Sequence, residues 1–125
     1  MSTVLVVDDS HTAREMVAKL LKQNGLDVIE ASDGLEAKEY LATSTPDLVV
    51  TDVVMPRMNG YELCRWIKSD PKTQHTPVLM CTSKNQEFDR YWGTKQGADA
   101  YITKPFHPPE MLKTVKQLLR QAQST

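Results

Sequence analysis

Five short apolar segments recur along the chain, each followed by residues with helical spacing, and this alternation limits the folds open to it more than any other feature. The segments are TVLVV (3–7), DVIEA (27–31), DLVVT (47–51), PVLMCT (77–82) and DAYIT (99–103). They are rich in β-branched and aliphatic side chains and bounded by Asp, Asn, Gly or Pro, as strands are. In the first intervening stretch Ala13, Met16, Val17, Leu20 and Leu21 fall at i, i+3, i+4, i+7 and i+8, which makes one apolar helical stripe. Thr12 and Glu15 have the spacing of a capping box at its start, and Gly25 is a natural stop. Further helices are expected from near Asp33, from near Gly60 and from about Asn85 to Gln96. A fifth follows Pro108-Pro109, where proline suits a first turn and Leu112, Val115, Leu118 and Leu119 repeat the stripe.

Strands alternating with helices imply parallel strands joined by right-handed crossovers, with helices on both faces of the sheet. The first strand and the third to fifth are apolar on both faces, as in a covered parallel sheet, whereas DVIEA is more polar and suits an edge. Without a linker, repeat or low-complexity segment, residues 1–125 read as a single doubly wound (βα)5 domain of the α/β class, with no second, output domain.

The chain of 125 residues is long enough to bury a core, and its net charge of −1 provides no basic field for nucleic acid or anionic lipid. No apolar run approaches the ~20 residues of a membrane span, and no signal peptide opens the chain. Cys64 and Cys81 lack CxxC spacing and read as small buried hydrophobes of a reducing compartment. A cytoplasmic protein without membrane or nucleic-acid partners is expected.

In an open parallel sheet, ligands bind beyond the carboxyl ends of the strands, where the winding reverses. The first strand ends in Asp8-Asp9, the third in Asp52, the fourth in Thr82-Ser83 and the fifth in Lys104-Pro105. Singly, these are ordinary: an acid after a strand caps the next helix, a threonine satisfies backbone, a lysine sits in water. Together they are not, because three carboxylates on one rim repel one another unless a cation sits among them. The oxygen-only donor set suits a hard ion such as Mg²⁺ (or Mn²⁺) and not zinc. Mg²⁺ and Lys104 would balance Asp8, Asp9 and Asp52. Such a site can take a phosphoryl group by carboxylate attack on phosphorus, with Lys104 offsetting charge and the Thr82 hydroxyl donating a hydrogen bond. Asp52, alone on its strand, is the candidate nucleophile.

The blocks VLVVDDS, DLVVTDVVMPRMNG, VLMCTS and GADAYITKPF, in this order, resemble the signature blocks of response-regulator receiver domains of two-component signalling. The resemblance covers Val4 to about Leu119 and implies the strand order 2-1-3-4-5 shared by flavodoxin and the chemotaxis receiver CheY. It implies that Asp52 is phosphorylated by a sensor histidine kinase (CheA-like). Asp9 would hold Mg²⁺ directly, Asp8 mainly through water, and the Val54 carbonyl would be a further ligand. Lys104 would contact the phosphoryl group, and its bond to Pro105 would be cis. Thr82 and Tyr101 would move together and reshape the face made by the fourth helix, fifth strand and fifth helix, which a downstream motility or phosphotransfer protein reads.

Val54, two residues after Asp52, and Lys84, two after Thr82, depart from the chemotaxis pattern. A valine cannot orient an attacking water and a lysine could bind a phosphoryl oxygen, so slow hydrolysis of phospho-Asp52 is expected. In the fourth helix Gly93 lies mid-helix beside Phe88, Tyr91 and Trp92, an aromatic stripe that fits core packing or a partner surface. His11, His75 and His107 have no assigned role.

Two enzymatic or carrier readings are disfavoured. A haloacid-dehalogenase-type phosphohydrolase would want DxD, but Val54 stands at the second position. A flavodoxin-like FMN carrier would want hydroxyls and glycines where Asp8-Asp9 would repel phosphate. The expectation is thus a monomeric stand-alone receiver of the chemotaxis or twitching-motility (PilH-like) type, not an enzyme beyond its own phosphorylation and dephosphorylation. A phosphorelay intermediate serving a histidine phosphotransfer protein, or a phosphorylation-independent binding module, are the alternatives.

Overall fold

A computed structural model describes residues 2–83 and 97–123. It contains β1 (Thr3–Val7), α1 (His11–Gln23), β2 (Asp27–Ala31), α2 (Gly34–Thr43), β3 (Leu48–Asp52), α3 (Gly60–Ser69), β4 (Val78–Ser83), β5 (Ala100–Lys104) and a C-terminal helix (Pro108–Gln123). The expected fourth helix, with Phe88, Tyr91, Trp92 and Gly93, lies outside the described residues, as does Lys84. The strands form one parallel sheet in the order β2-β1-β3-β4-β5, as the resemblance implied. β2 is an edge, and its exposed Asp27, Ile29 and Glu30 explain its polar composition. The other edge is β5, whose residues are mostly half-buried, so its apolar look overstated its burial.

Alternation along the strands divides the interior in two. Val4, Val6, Leu48, Val50, Leu79, Cys81 and Ile102 face α1 and the C-terminal helix, where Val17, Leu21, Met111, Val115, Leu118 and Leu119 cover them. Leu5, Val7, Val49, Val78 and Met80 face α2 and α3, covered by Ala37, Leu41, Leu63, Cys64 and Ile67. Burial pushes both cysteine thiols up to about 12, which keeps them protonated and unreactive.

Local chemistry sets the helix ends. Ser10, not Thr12, caps α1: its hydroxyl accepts from the Ala13 amide. The Asp8 carboxylate takes the Ser10 amide in a turn right after β1, so the chain enters the helix earlier than the Thr12–Glu15 spacing implied. Gly25 follows the helix with φ 83, a left-handed conformation that glycine adopts without Cβ strain. Met16 is 57% exposed, so the buried stripe of α1 is Val17, Ala18 and Leu21 and not the broader set expected. Asn59 and Glu62 form the capping box of α3, and Asp33 caps α2.

Candidate functional site

The chain leaves β1 to build β2 on one side and then returns across β1 to β3 on the other, so the winding reverses between β1 and β3. Asp8 and Asp52 stand at the carboxyl ends of these two strands. Asp8 is buried, Asp52 half-buried and Asp9 exposed, and one oxygen from each lies within 4.8 Å of the others. Lys104, at the end of β5, places its ammonium 3.0 Å from Asp52 Oδ1 and 3.2 Å from Asp8 Oδ2. The Lys104-Pro105 peptide is cis. Asp8 is held from several sides: Oδ1 accepts from Ser10, its amide donates to Ala31, and its carbonyl accepts from the Arg14 guanidinium at 2.8 Å.

The electrostatics reveal an undercompensated cluster. Burial raises the Asp52 pKa, and the charge of Asp8 adds to this; the bond and charge of Lys104 offset it only in part. For Lys104, burial works against the charge, but the bond to Asp52 and the charges of Asp52 and Asp8 outweigh it and raise its pKa. One lysine against three carboxylates leaves two negative charges uncompensated, which a divalent cation neutralises. The donors are all hard oxygens, so the residues fit Mg²⁺ or Mn²⁺.

Thr82 lies one residue past Cys81, the register partner of Asp52. It is 1% exposed, and its hydroxyl has no hydrogen-bond partner among the described residues. Met80, two residues earlier, lies in the α2–α3 cluster and Cys81 in the other, so strand alternation assigns Thr82 to the α2–α3 face, opposite the one that carries Asp8, Asp52 and Lys104. Tyr101, paired with Met80, packs half-buried on that same α2–α3 face. The structure therefore gathers Asp8, Asp9, Asp52 and Lys104 directly and leaves Thr82 and Tyr101 as a second, adjoining set. Val54 follows at the rim and is 61% exposed.

Three supporting features were not read from the sequence. Gly60 was taken as a helix start, yet a Cβ there would collide with the Asp52 carbonyl oxygen, and its amide donates to Val53 at 2.8 Å. Arg14 ties α1 to both the Asp8 carbonyl and Glu30. Third, a cleft of about 490 Å³ opens beside Asp52, walled by Ala13, Met16, Val17, Pro105 and Phe106, and it explains the exposure of Met16. The glycine after Asn59 was the available signal for the first; the other two depend on contacts between distant segments.

The family model described as the response regulator receiver domain matches residues 4–116. Protein PilG of Pseudomonas aeruginosa is 42% identical over 113 residues, which are 90% of this chain and 84% of PilG. Protein PilH of the same organism is 37% identical over 119 residues, 95% of this chain and 98% of PilH. The chemotaxis response regulator CheY4 of Vibrio cholerae superimposes with a TM-score of 0.89 at 35% identity, over 94% of this chain and 98% of CheY4. The chain spans about half the length of other curated relatives, 49% and 51% of two transcriptional regulatory proteins. An acidic crevice at the sheet's winding reversal and a match along nearly the whole chain lead to one conclusion: the chain belongs to the response-regulator receiver domain family and resembles its CheY- and PilH-like members.

Proposed function

We propose that this protein is a cytoplasmic, phosphorylation-activated signalling switch whose phosphoacceptor is Asp52. Receiver domains take phosphoryl groups from histidine kinases and generally bind Mg²⁺ at an acidic pocket. The observation that carries the reading here is the convergence of the Asp8, Asp9 and Asp52 oxygens within 4.8 Å, with Lys104 in contact with two of the carboxylates. An Asp52 oxygen attacks the phosphorus of a phosphohistidine; the P–O bond forms as the P–N bond breaks, and the imidazole nitrogen keeps the electron pair. Lys104 already touches the nucleophile and offsets the charge that the phosphoryl oxygens bring. A Mg²⁺ or Mn²⁺ ion held by Asp8, Asp9, Asp52 and the Val54 carbonyl would supply further charge neutralisation when bound. The Thr82 hydroxyl, which has no partner among the described residues, has a hydrogen bond to gain by turning toward the phosphoryl group, and Tyr101 on the same face moves with it. That movement alters the surface around β5, which a motility or phosphotransfer protein reads.

We assign no enzymatic activity on a separate substrate; self-phosphorylation and self-dephosphorylation at Asp52 are the chemistry proposed. Similarity to PilG, PilH and the chemotaxis regulator CheY4 supports a place in chemotaxis or type IV pilus motility. The test is intact-protein mass after incubation with Mg²⁺ and acetyl phosphate. One phosphoryl group should be gained, and both Asp52→Asn and a chelator should abolish the gain. An unchanged mass with acetyl phosphate and with a histidine kinase would overturn the reading in favour of a phosphorylation-independent binding module.

A further inference from the structure

The loop 53–59, between β3 and α3, carries the Val54 carbonyl next to Asp52. At its root, the Val53 amide donates to Cys81 at 3.3 Å and the Gly60 amide donates to the Val53 carbonyl at 2.8 Å. Its far end is held differently. Arg57 has φ 66, a left-handed conformation that arginine adopts at a cost which surrounding contacts must offset. Its guanidinium donates through Nε to Asp33 Oδ2 at 2.9 Å, and Nη2 donates to the same oxygen. Asp33 is only 5% exposed, and its other oxygen caps α2 by accepting from the Glu36 amide at 2.9 Å. Next to it, Gly34 lets α2 start directly on the loop: a Cβ there would come within 2.6 Å of Met58 Cγ and 2.9 Å of the Met58 carbonyl oxygen.

We propose that the Asp33–Arg57 ion pair is a positioning clamp for the metal site, holding loop 53–59, and with it the Val54 carbonyl, against the start of α2. The proposal rests on the phosphoacceptor reading above and adds residues to it that touch neither metal nor phosphoryl group. A ligand supplied by backbone cannot be oriented by its own side chain, and the exposed Val54 side chain has little to grip; the orientation must come from the two ends of the loop. One end is built into the sheet and α3. The other depends on a buried carboxylate whose two oxygens serve different partners, so the clamp and the helix cap share one residue and fix their relative position.

The test is isothermal titration of metal-free protein with Mg²⁺, comparing the parent with Arg57→Gly, Asp33→Asn and the double variant. Glycine suits the left-handed φ, and asparagine caps a helix as well as aspartate does, so both variants lose the ion pair while keeping local backbone preferences. Each single variant should bind Mg²⁺ about tenfold more weakly, and the double variant no more weakly than either single one, because one interaction is removed in all three. Labelling by acetyl phosphate should fall at limiting Mg²⁺ and recover as Mg²⁺ is raised. Unchanged affinity in both single variants, or losses that add in the double, would overturn the clamp while leaving the metal site intact. A parent protein that binds no Mg²⁺ would overturn the metal reading itself, and the clamp with it.

Discussion

The ammonium of Lys104 lies 3.0 Å from the carboxylate of Asp52, although β5 and β3, which carry them, are not neighbours in the sheet. Lys104 pairs with Ser83 in register, whereas Asp52 pairs with Cys81, so the lysine starts two positions further along and reaches back across the end of β4. A long, flexible side chain is what this geometry needs. Burial disfavours the charge on each group, and each is kept in place by the other. Lys104→Ala should therefore leave Asp8 and Asp52 facing each other uncompensated. The expected result is a labelling rate by acetyl phosphate reduced about 100-fold at saturating Mg²⁺, read from the time course of intact mass.

Thr82→Val replaces a buried hydroxyl that has no partner among the described residues with a methyl of similar size. Because an unsatisfied buried polar group costs roughly 1–3 kcal/mol, the unphosphorylated variant should be as stable as the parent or up to about 1 kcal/mol more stable in urea unfolding. The same variant should lose most of the added stability that beryllofluoride and Mg²⁺ confer on the parent, since the hydrogen bond that Thr82 would gain is gone.

Gly60→Ala places a Cβ against the Asp52 carbonyl and the Val53 backbone. Neither is a flexible side chain that can move aside. Overpacking of this kind costs about 1–3 kcal/mol, and the shift needed to relieve it moves the Asp52 backbone directly. A lowered urea midpoint together with slower labelling is expected.

Phospho-Asp52 should decay slowly, and Val54→Asn should hasten the decay several-fold. The valine side chain is exposed at the rim and offers no donor or acceptor to orient an attacking water, whereas an asparagine amide offers both. Loss of the phosphoryl mass with time after removal of donor measures it, with Lys84→Glu as the companion variant.

The Asp33 cap gives a pH dependence whose sign follows from its environment. The Glu36 amide, then the bond from Arg57, hold the Asp33 carboxyl below its ordinary value. The folded state therefore favours the ionised form, and its contribution to stability is present above the unfolded value and fades as pH falls through the lowered folded one. Asp33→Asn, which retains the cap, should cost about 1 kcal/mol at neutral pH, a modest figure because Arg57 is largely exposed. The difference from the parent should disappear in strong acid, as denaturant midpoints across pH would reveal.

Periodicity determined the layers, while the strand order came from the resemblance. Five apolar runs, each too short for a helix, alternate with 3.6-residue stripes, and an α/β chain with that pattern buries its strands by covering both faces. The positions Asp8, Asp9, Asp52, Thr82 and Lys104 were legible for a related reason: each ends a strand or lies within a residue or two of its end, and parallel strands present their carboxyl ends on one rim. Local pattern was less able to choose between Thr12 and Ser10 as the cap of α1, because the choice turns on the Asp8 carboxylate taking the Ser10 amide. It overstated the burial of Met16 for a similar reason, since a helical stripe does not say where a cleft will interrupt the packing.

Tertiary structure alone decided which of the strand-end groups meet. Strand parity puts Asp8, Asp52 and Lys104 on one face and Thr82 with Tyr101 on the other, and parity becomes a fact only once register is set by pairing. It also joined Asp33 to Arg57, 24 residues apart, and set Gly60 against the backbone of Asp52. Such contacts depend on the crossing of whole elements, and no local run of side chains encodes where a distant helix begins. The sequence by itself determined the layers and the rim; packing of one element on another determined the distances at which the rim can do chemistry.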